Sequence, residues 1–277
     1  MIVMPPMTNQ QEASWHGLMD LQEILPEGWT LVGGQMVHVH CAERGFEPTR
    51  PTPDIDTVLD VKGHPDILVE FTSKLEEIGF KADPPKGEGK QHRWTRGEAM
   101  IDVLIPDSVG ERAASKTGST GSRTVETPGA QQALNRSEVV EVTVGGRVGF
   151  VRRPSLIGAL VGKAAAHSIT SDSFKGRHLL DFAMLASMVS RQDFEDEFSK
   201  SDKKYLRNAI PAVLADPRAV TIPGAADGIK RIETVMTPPQ TGGSASGEGS
   251  PHVKTTLSSK NVSFKPKKRS RLPNGFE

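Results

Sequence analysis

Cysteine is almost absent from this chain: Cys41 is the only one among 277 residues. A single cysteine excludes an intramolecular disulfide, so we expect a reducing, cytoplasmic setting. The sequence also lacks a run approaching the roughly 20 apolar residues that a membrane-spanning helix needs. The first residues, MIVMPPMTNQQ, do not combine a charged segment with an apolar one. We therefore expect neither a secretory signal nor a membrane partner.

The chain has no net charge either, because 34 lysines and arginines balance 34 aspartates and glutamates. The distribution is uneven, since residues 237–277 carry seven basic side chains against Glu248 and Glu277. That segment is positive by about five charges, and the remainder is negative by the same amount. We therefore expect no broadly basic surface on the folded part. A contact with nucleic acid would come from a local patch or from the tail.

Residues 237–277 are rich in glycine and serine, as in TGGSASGEGS, and poor in apolar residues. Such a segment buries too little apolar surface to order itself, so we expect a disordered basic tail. The run KPKKRSR within it allows two interpretations. It can bind RNA through phosphate contacts, or it can serve as a solubilising or partner-binding arm.

Helix and strand patterns alternate through the first half of the chain. Period-two patterns predict strands at 29–32, 55–61, 80–82, 92–95 and 99–105. Helical spacing of apolar residues predicts helices at 14–24, 35–43 and 65–78. Residues 96–98 would be the turn of a hairpin, with Gly97 free to adopt a positive φ. The alternation predicts an α+β class in which a mixed sheet is flanked by helices.

The second half is predicted to be mainly helical. Residues 107–129 contain almost no large apolar side chain and are expected to form a long loop. A hairpin follows across Gly145-Gly146. Helices are predicted at 155–168, 176–190, 202–215 and 224–236. We therefore divide the chain into a flexible leader 1–12, a mixed domain 13–153, a small helical domain 154–236 that completes a cleft, and the tail 237–277.

The first chemical feature is Gly33-Gly34, which a predicted strand delivers to the start of a predicted helix. Glycines allow the backbone to approach a ligand closely, and a helix N-terminus presents unpaired N–H groups with a partial positive charge. This arrangement predicts a binding site for the phosphates of a nucleotide.

The second feature is a set of three acids on two predicted strands: Asp54, Asp56 and Asp102. Residues i and i+2 of a strand point to the same side, so Asp54 and Asp56 should converge. Asp102 lies in the middle of MIDVLI, where a lone buried carboxylate is costly and needs a partner. A shared divalent ion would supply that partner, and hard carboxylate oxygens suit Mg²⁺ or Mn²⁺.

These acids fit a two-metal transfer of a nucleotide. Asp54 and Asp56 would hold one ion that neutralises the triphosphate and the leaving pyrophosphate. All three acids would hold a second ion, which lowers the pKa of an acceptor hydroxyl for in-line attack on the α-phosphate. The predicted catalytic and metal-binding residues from this pattern are Asp54, Asp56 and Asp102.

A strand, a Gly-Gly turn, a helix, an acid-x-acid strand and a third acid strand resemble the polymerase β-like nucleotidyltransferase superfamily. Within it, the chain resembles the bacterial AbiEii/AbiGii-type nucleotidyltransferase toxin family. The second likeness depends on a helical second half with a lysine, Lys163 in LIGALVGKAAAH, and a later acid, Asp181 in KGRHLLD. The resemblance covers residues 29–190 and is more specific in its first half.

The resemblance implies roles for two more residues. Lys163 would contact the nucleotide phosphates, as a catalytic and nucleotide-binding residue, and Asp181 would orient it. The family pattern at the later motif is Arg/Lys-Asp-x-x-Asp, whereas this chain has His178 at the first acidic position. That departure leaves the role of the segment open. Without the resemblance, a lysine among alanines more often extends its amine to solvent.

The resemblance also implies a function. The chain would be a magnesium-dependent nucleotidyltransferase that moves a nucleoside monophosphate from an NTP to an acceptor hydroxyl, with RNA or tRNA as the leading acceptor. It would act as a toxin or in phage defence, with a cognate antitoxin as partner. Two alternatives stay open: a small-molecule nucleotidyltransferase of the antibiotic-modifying type, and a non-catalytic nucleotide-binding or regulatory module.

Two other features favour structural over functional interpretations. His38-Val39-His40-Cys41 contains metal-ligand residue types, but residues i and i+2 of a helix do not face each other. Asp60 shares the strand face of Asp54 but is expected to mark the exposed end of that strand. We therefore expect neither to belong to the site.

Overall fold

The computed structural model describes residues 1–85, 89–107, 109–169, 176–194 and 197–237. Nine strands are present in this part of the chain: β1 Ile2–Val3, β2 Trp29–Val32, β3 Ile55–Leu59, β4 Lys81–Ala82, β5 Arg93–Arg96, β6 Ala99–Pro106, β7 Val125–Thr127, β8 Ser137–Val144 and β9 Arg147–Pro154. The helices are α1 Asn9–Ile24, α2 Gly33–Arg44, α3 Ile67–Glu77, α4 Glu111–Ala114, α5 Ala130–Asn135, α6 Leu156–Ala166, α7 Gly176–Met188, α8 Lys200–Ala215, α9 Pro217–Val220 and α10 Ala225–Met236, with a 3₁₀ turn at Arg191–Asp193.

The larger sheet has six strands in the order β2-β3-β6-β5-β4, with β7 paired to β6. It is mixed: β3 runs parallel to β6 and antiparallel to β2. β6 is long enough to pair with β5 along its first half and with β7 along its second. β3 and β6 are therefore adjacent strands in the interior of the sheet.

A smaller sheet combines the first residues of the chain with a later hairpin. Its order is β1-β8-β9, and the β8–β9 turn is Gly145-Gly146. Both glycines have positive φ, 55° and 83°, as a two-residue hairpin turn requires. Helix α1 packs against β6 of the large sheet and β9 of the small one, so it joins the two sheets.

The remaining helices pack on one another. α7 contacts α6 and α10, and α8 packs against α6. The apolar faces of these helices supply buried side chains such as Leu160, Phe182, Leu206 and Ile232. All described residues belong to one compact unit.

Burial of aromatic side chains organises the core of the first half. Trp15, Trp29 and Trp94 are almost fully buried. Trp29 donates its Nε1–H to the Leu25 carbonyl over 2.7 Å, so its polar atom is satisfied without water. Trp29 also packs edge-on against Phe71 of α3, with ring centroids 6.0 Å apart.

The predicted α+β class, with mixed sheets flanked by helices, is confirmed. The structure departs from the loose leader expected for residues 1–12. Ile2–Val3 pairs with β8, and Ile2 and Met4 are buried. Helix α1 begins at Asn9 because Thr8 and Gln11 form a capping box. This cap lies outside the apolar periodicity from which the helix was predicted.

The expected loop 107–129 is also only partly a loop. It contains the short helix α4 and the strand β7, whose three residues pair with the end of β6. Strand pairing here depends on a distant partner, which a local lack of apolar residues does not reveal. The expected tail lies outside the described residues, and the division at residue 153 stays a prediction.

Among the helices that the structure describes, none is both long and apolar enough to cross a bilayer.

Candidate active site

The three predicted acids meet at one point of the large sheet. Asp56 of β3 and Asp102 of β6 are direct neighbours in the parallel register. Asp54 lies just before β3, and its carboxylate also reaches this point. One carboxylate oxygen from each of the three residues lies within 4.8 Å of the others. The cluster can therefore hold a metal ion through oxygen ligands.

Asp54 precedes β3 and is held by the loop in front of it. Thr52 donates its hydroxyl to Asp54 Oδ1 over 3.0 Å. The Thr52 carbonyl in turn accepts hydrogen bonds from Gln35 Nε2 at 2.6 Å and Gln11 Nε2 at 2.9 Å. Side chains of α1 and α2 thus fix the loop, although Asp54 itself lies outside regular structure.

Gly33 and Gly34 make room for this cluster. Gly33 has φ +71°, and a Cβ built on it would lie 1.8 Å from Asp56 Oδ2. A Cβ on Gly34 would lie 2.6 Å from the Thr52 side chain. Val32 precedes α2 and makes no capping hydrogen bond to its first turn. The first N–H groups of α2 therefore face a ligand site without a side-chain cap.

Arg93 of β5 contacts the acidic cluster. Its Nε and Nη2 donate to the two oxygens of Asp102 over 2.8 and 2.7 Å, a bidentate pair. Nη2 also donates to Asp54 Oδ2 over 3.3 Å. The hydrogen bonds to Asp102 raise the pKa of Arg93 above its usual value. Asp102 therefore has the protein partner that its burial requires, and a metal ion is not its only possible counter-charge.

Asp56 lies in surroundings that disfavour its negative charge. Burial raises the pKa of its carboxyl to about 7, and the negative charges of Asp54 and Asp102 raise it in the same direction. Lys163 and Arg177 act against this rise. An excess of negative charge at a half-buried carboxyl favours binding of either a proton or a cation.

A cleft of about 170 Å³ opens beside Asp56. Its polar lining includes Gly33, Asp56, Lys163, Arg177 and His178. Apolar side chains complete the walls: Val32, Met36, Val58, Leu104, Pro128, Ala130, Ala133, Ala166 and Ile169. The walls therefore come both from the β2–α2–β3 segment and from helices α5, α6 and α7. Such a mixture of apolar walls and converging charges is typical of a ligand site.

Lys163 of α6 is almost fully buried, and its Nζ lies 2.7 Å from Asp181 Oδ2 of α7. Arg50 donates to both oxygens of Asp181, from Nε over 3.1 Å and from Nη2 over 2.8 Å. Burial would raise the pKa of Asp181, but Lys163 and Arg50 outweigh it and hold the pKa below its usual value. The structure thus brings Lys163 and Asp181 together beside the cleft.

In the His38-Val39-His40-Cys41 segment, the two histidine rings contact different backbone carbonyls. His38 Nε2 lies 2.9 Å from the Arg50 carbonyl, whereas His40 Nε2 lies 3.1 Å from the Pro154 carbonyl. Burial lowers the pKa of His40 to about 4 and raises that of the Cys41 thiol to about 12. These groups stay neutral and serve packing and backbone hydrogen bonds.

Several residues of the site were not found from the sequence: Thr52, Gln35, Arg93, Arg50 and Arg177. Arg93 was missed because the turn expected at residues 96–98 would pair residue 93 with residue 101, whereas the two-residue turn of the structure pairs it with residue 102. Arg50 and Gln35 had no local signal, because their partners are distant in sequence.

No protein-family model matches the chain, and no curated protein matches it. Among solved structures, an antigenic nucleotidyltransferase-like protein from Paracoccidioides brasiliensis is similar, with a TM-score of 0.47 and 15% identity. That match covers 82% of this chain and 95% of the other. The antibiotic-resistance factor ANT(2'')-Ia has a TM-score of 0.40 and 15% identity, covering 76% and 97%.

Proposed function

We propose that this chain is a metal-dependent nucleotidyltransferase that moves a nucleoside monophosphate from an NTP to an acceptor hydroxyl. The observation that carries the proposal is the convergence of Asp54, Asp56 and Asp102 within 4.8 Å. Their position beside Gly33 at the start of α2, on a cleft that Lys163 also lines, adds a site for phosphates.

The acidic cluster fits a divalent cation such as Mg²⁺ or Mn²⁺. The available ligands are carboxylate oxygens, which these ions prefer, and three such groups converge within 4.8 Å. A bound ion would neutralise phosphate charge and activate the acceptor hydroxyl. Asp54 and Asp56 are the residues best placed to hold it, because Arg93 engages both oxygens of Asp102.

The other residues bind and orient the nucleotide in this proposal. The first N–H groups of α2 can donate to phosphate oxygens, and the glycines there leave the backbone accessible. Lys163 and Arg177 add positive charge to the lining of the cleft. Asp181 fixes the Lys163 ammonium by its 2.7 Å contact, so the positive charge is held in place before the nucleotide binds.

For the acceptor we propose RNA, with a tRNA 3′ end as the first candidate, and we propose a cognate antitoxin as partner. Both proposals are supported only by the resemblance of Lys163, Asp181 and their surroundings to the AbiEii/AbiGii-type family. A small hydroxyl compound is the alternative acceptor, since one fold serves several acceptors.

The second candidate function is a non-catalytic nucleotide-binding module. The contacts of Arg93 favour it, because a guanidinium already neutralises Asp102 and part of Asp54. Such a protein would bind an NTP at the glycines and Lys163 without transferring it.

Transfer is tested by incubating the protein with total RNA, Mg²⁺ and each NTP labelled at the α-phosphate. We expect label in a discrete RNA band. Asp54→Asn and Asp56→Asn should each lower the rate at least roughly 100-fold, because loss of a metal ligand costs several kcal/mol of transition-state stabilisation. Asp60→Asn is the matched control, since Asp60 follows β3 outside the cluster and its Oδ1 accepts from Gly63 N–H.

The outcomes separate the candidates. Label that moves equally with Asp54→Asn would refute the metal-site proposal. Without transfer to RNA or to added hydroxyl compounds, metal-dependent NTP binding that is lost in Asp54→Asn would identify the binding module. Without transfer or NTP binding, both candidates fail.

A further inference from the structure

The contact between Arg93 and the acidic cluster has a consequence for metal binding. Arg93 and Asp102 are opposite each other in the β5–β6 hairpin, so the backbone register itself places the guanidinium over the carboxylate. Asp102 is the more buried partner, with 8% of its side chain exposed, against 26% for Arg93. The pair is therefore a built feature of the sheet and not a chance surface contact.

Arg93 is hydrogen-bonded to carboxylate oxygens that a metal ion would need as ligands. Its fork engages both oxygens of Asp102, and the same Nη2 reaches Asp54 Oδ2. Two of the three acids thus share one guanidinium, whereas Asp56 does not take part in these hydrogen bonds with Arg93. A divalent ion that approached all three acids would meet a positive charge of the protein at hydrogen-bonding distance from two of its ligands.

We propose that Arg93 is a built-in competitor of the metal: it occupies the cation position beside Asp54 and Asp102, and Asp102 binds metal only when Arg93 is displaced. The inference rests on the proposed function for the metal site itself, but it concerns binding and not transfer. It implies that the nucleotide-free protein binds a divalent ion weakly, and that Asp102 is kept oriented when no ion is bound.

The test is a titration of the nucleotide-free protein with Mn²⁺, in which free Mn²⁺ is followed by electron paramagnetic resonance. We expect Arg93→Gln to bind Mn²⁺ at least roughly tenfold more tightly than the wild type, because a competing charge has been removed. Arg96→Gln is the matched control. Arg96 lies on the same strand and pairs with a carboxylate, Asp20, with 31% of its side chain exposed. It should leave Mn²⁺ affinity unchanged.

Two further variants keep the test interpretable. Arg93→Lys keeps the charge but loses the fork, so its Mn²⁺ affinity should lie between those of the wild type and Arg93→Gln. In an Asp102→Asn background, Arg93→Gln should increase Mn²⁺ affinity much less, because the carboxylate for which Arg93 and the metal compete has been removed. Near-ultraviolet circular dichroism of each variant verifies folding, and Arg93→Lys carries the test if Arg93→Gln does not fold.

Equal or weaker Mn²⁺ binding by Arg93→Gln, or an equal gain in Arg96→Gln, would overturn the inference. Absence of Mn²⁺ binding in every variant would overturn it together with the proposed metal site. If Arg93→Gln binds Mn²⁺ more tightly but the wild type transfers no nucleotide, the inference is supported and only the proposed transferase activity is contradicted.

Discussion

At the scale of single residues, Gly33 and Asp56 form one unit. Asp56 Oδ2 occupies the space where a side chain at Gly33 would begin, and Gly33 has a positive φ that most residues adopt at a cost. A glycine at position 33 therefore leaves room for the Asp56 carboxylate as well as for a ligand. The approach of backbone to carboxylate also sets the start of α2 against the acidic cluster.

Gly33→Ala should disturb the cluster, because the new Cβ would lie 1.8 Å from Asp56 Oδ2. We expect a loss of Mn²⁺ affinity together with a loss of stability, measured by Mn²⁺ titration and urea unfolding. Gly45→Ala is the control: Gly45 has φ +72° but no neighbour near its Cβ position. It should cost about 1 kcal/mol of stability from the backbone alone and leave metal binding intact. Equal Mn²⁺ affinity in the two variants would refute the explanation.

The pKa of Asp56 should make metal binding at the proposed site dependent on pH. In the folded protein its pKa is about 7, raised from 3.8 by burial and by Asp54 and Asp102. The folded state therefore holds this proton more tightly than the unfolded state does. The contribution to stability is greatest below about pH 4 and is lost as the pH rises through about 7.

A metal ion requires the deprotonated carboxylate, so the increase in melting temperature caused by Mg²⁺ should be larger at pH 8 than at pH 6. Melting curves with and without Mg²⁺ at both values measure this difference. Asp56→Asn should abolish the dependence, while Asp60→Asn should keep it. An equal Mg²⁺ effect at both pH values in the wild-type protein would contradict the raised pKa.

At the scale of elements, the loop before β3 is held by polar side chains of two helices. Gln35 of α2 donates to the Thr52 carbonyl and accepts from Trp15 Nε1 over 3.0 Å. Gln35 and Trp15 are fully buried, so these hydrogen bonds have no water to replace them. Thr52 then positions Asp54. Helix packing is in this way linked to the orientation of a carboxylate in the cluster.

Gln35→Leu should lower the free energy of unfolding by about 2–3 kcal/mol, because it leaves the buried Trp15 N–H without a partner. Urea unfolding measures the loss. Gln11→Leu should cost less, about 1 kcal/mol, since the Thr52 carbonyl keeps its bond from Gln35 and the capping-box bond to Thr8 that is also lost is exposed. If the two variants are equally unstable, the buried Gln35 does not have the role given to it here.

At the scale of the whole molecule, Asp181 joins three separate parts of the chain. It pairs with Lys163 of α6 and with Arg50 of the loop after α2, while it lies on α7. Because Lys163 and Asp181 are almost fully buried, loss of the carboxylate would leave an ammonium without its counter-charge. This contact therefore links the helical half to the segment that carries the acidic cluster.

Asp181→Asn should reduce stability by about 3 kcal/mol, because breaking one partner of a buried ion pair leaves an uncompensated charge. Thermal unfolding and urea unfolding both measure this loss of stability. Asp216→Asn is the control, since its partner Arg218 has 64% of its side chain exposed, and its cost should be below about 1 kcal/mol. A loss as small as that of the control would show that Lys163 finds another partner.

The sequence alone determined the α+β class, most helices and strands, and the acids of the site. These features depend on local information: period-two and helical spacing, glycines at a strand end, and side-chain parity within a strand. Asp54 and Asp56 were predicted to converge for this reason. The Arg93–Asp102 pairing was not determined in this way, because it depends on a two-residue turn where a three-residue turn at 96–98 was expected.

Only the tertiary structure decided which groups neutralise the acids and the lysine. Arg50 and Asp181 are 131 residues apart, and Gln35 contacts Thr52 across a helix and a loop. The same holds for β1, a two-residue strand that exists because β8 offers it an edge. Such contacts depend on how distant segments pack, and propensity and periodicity describe only neighbours along the chain. Local pattern therefore determined where the charges are, and packing determined which charges meet.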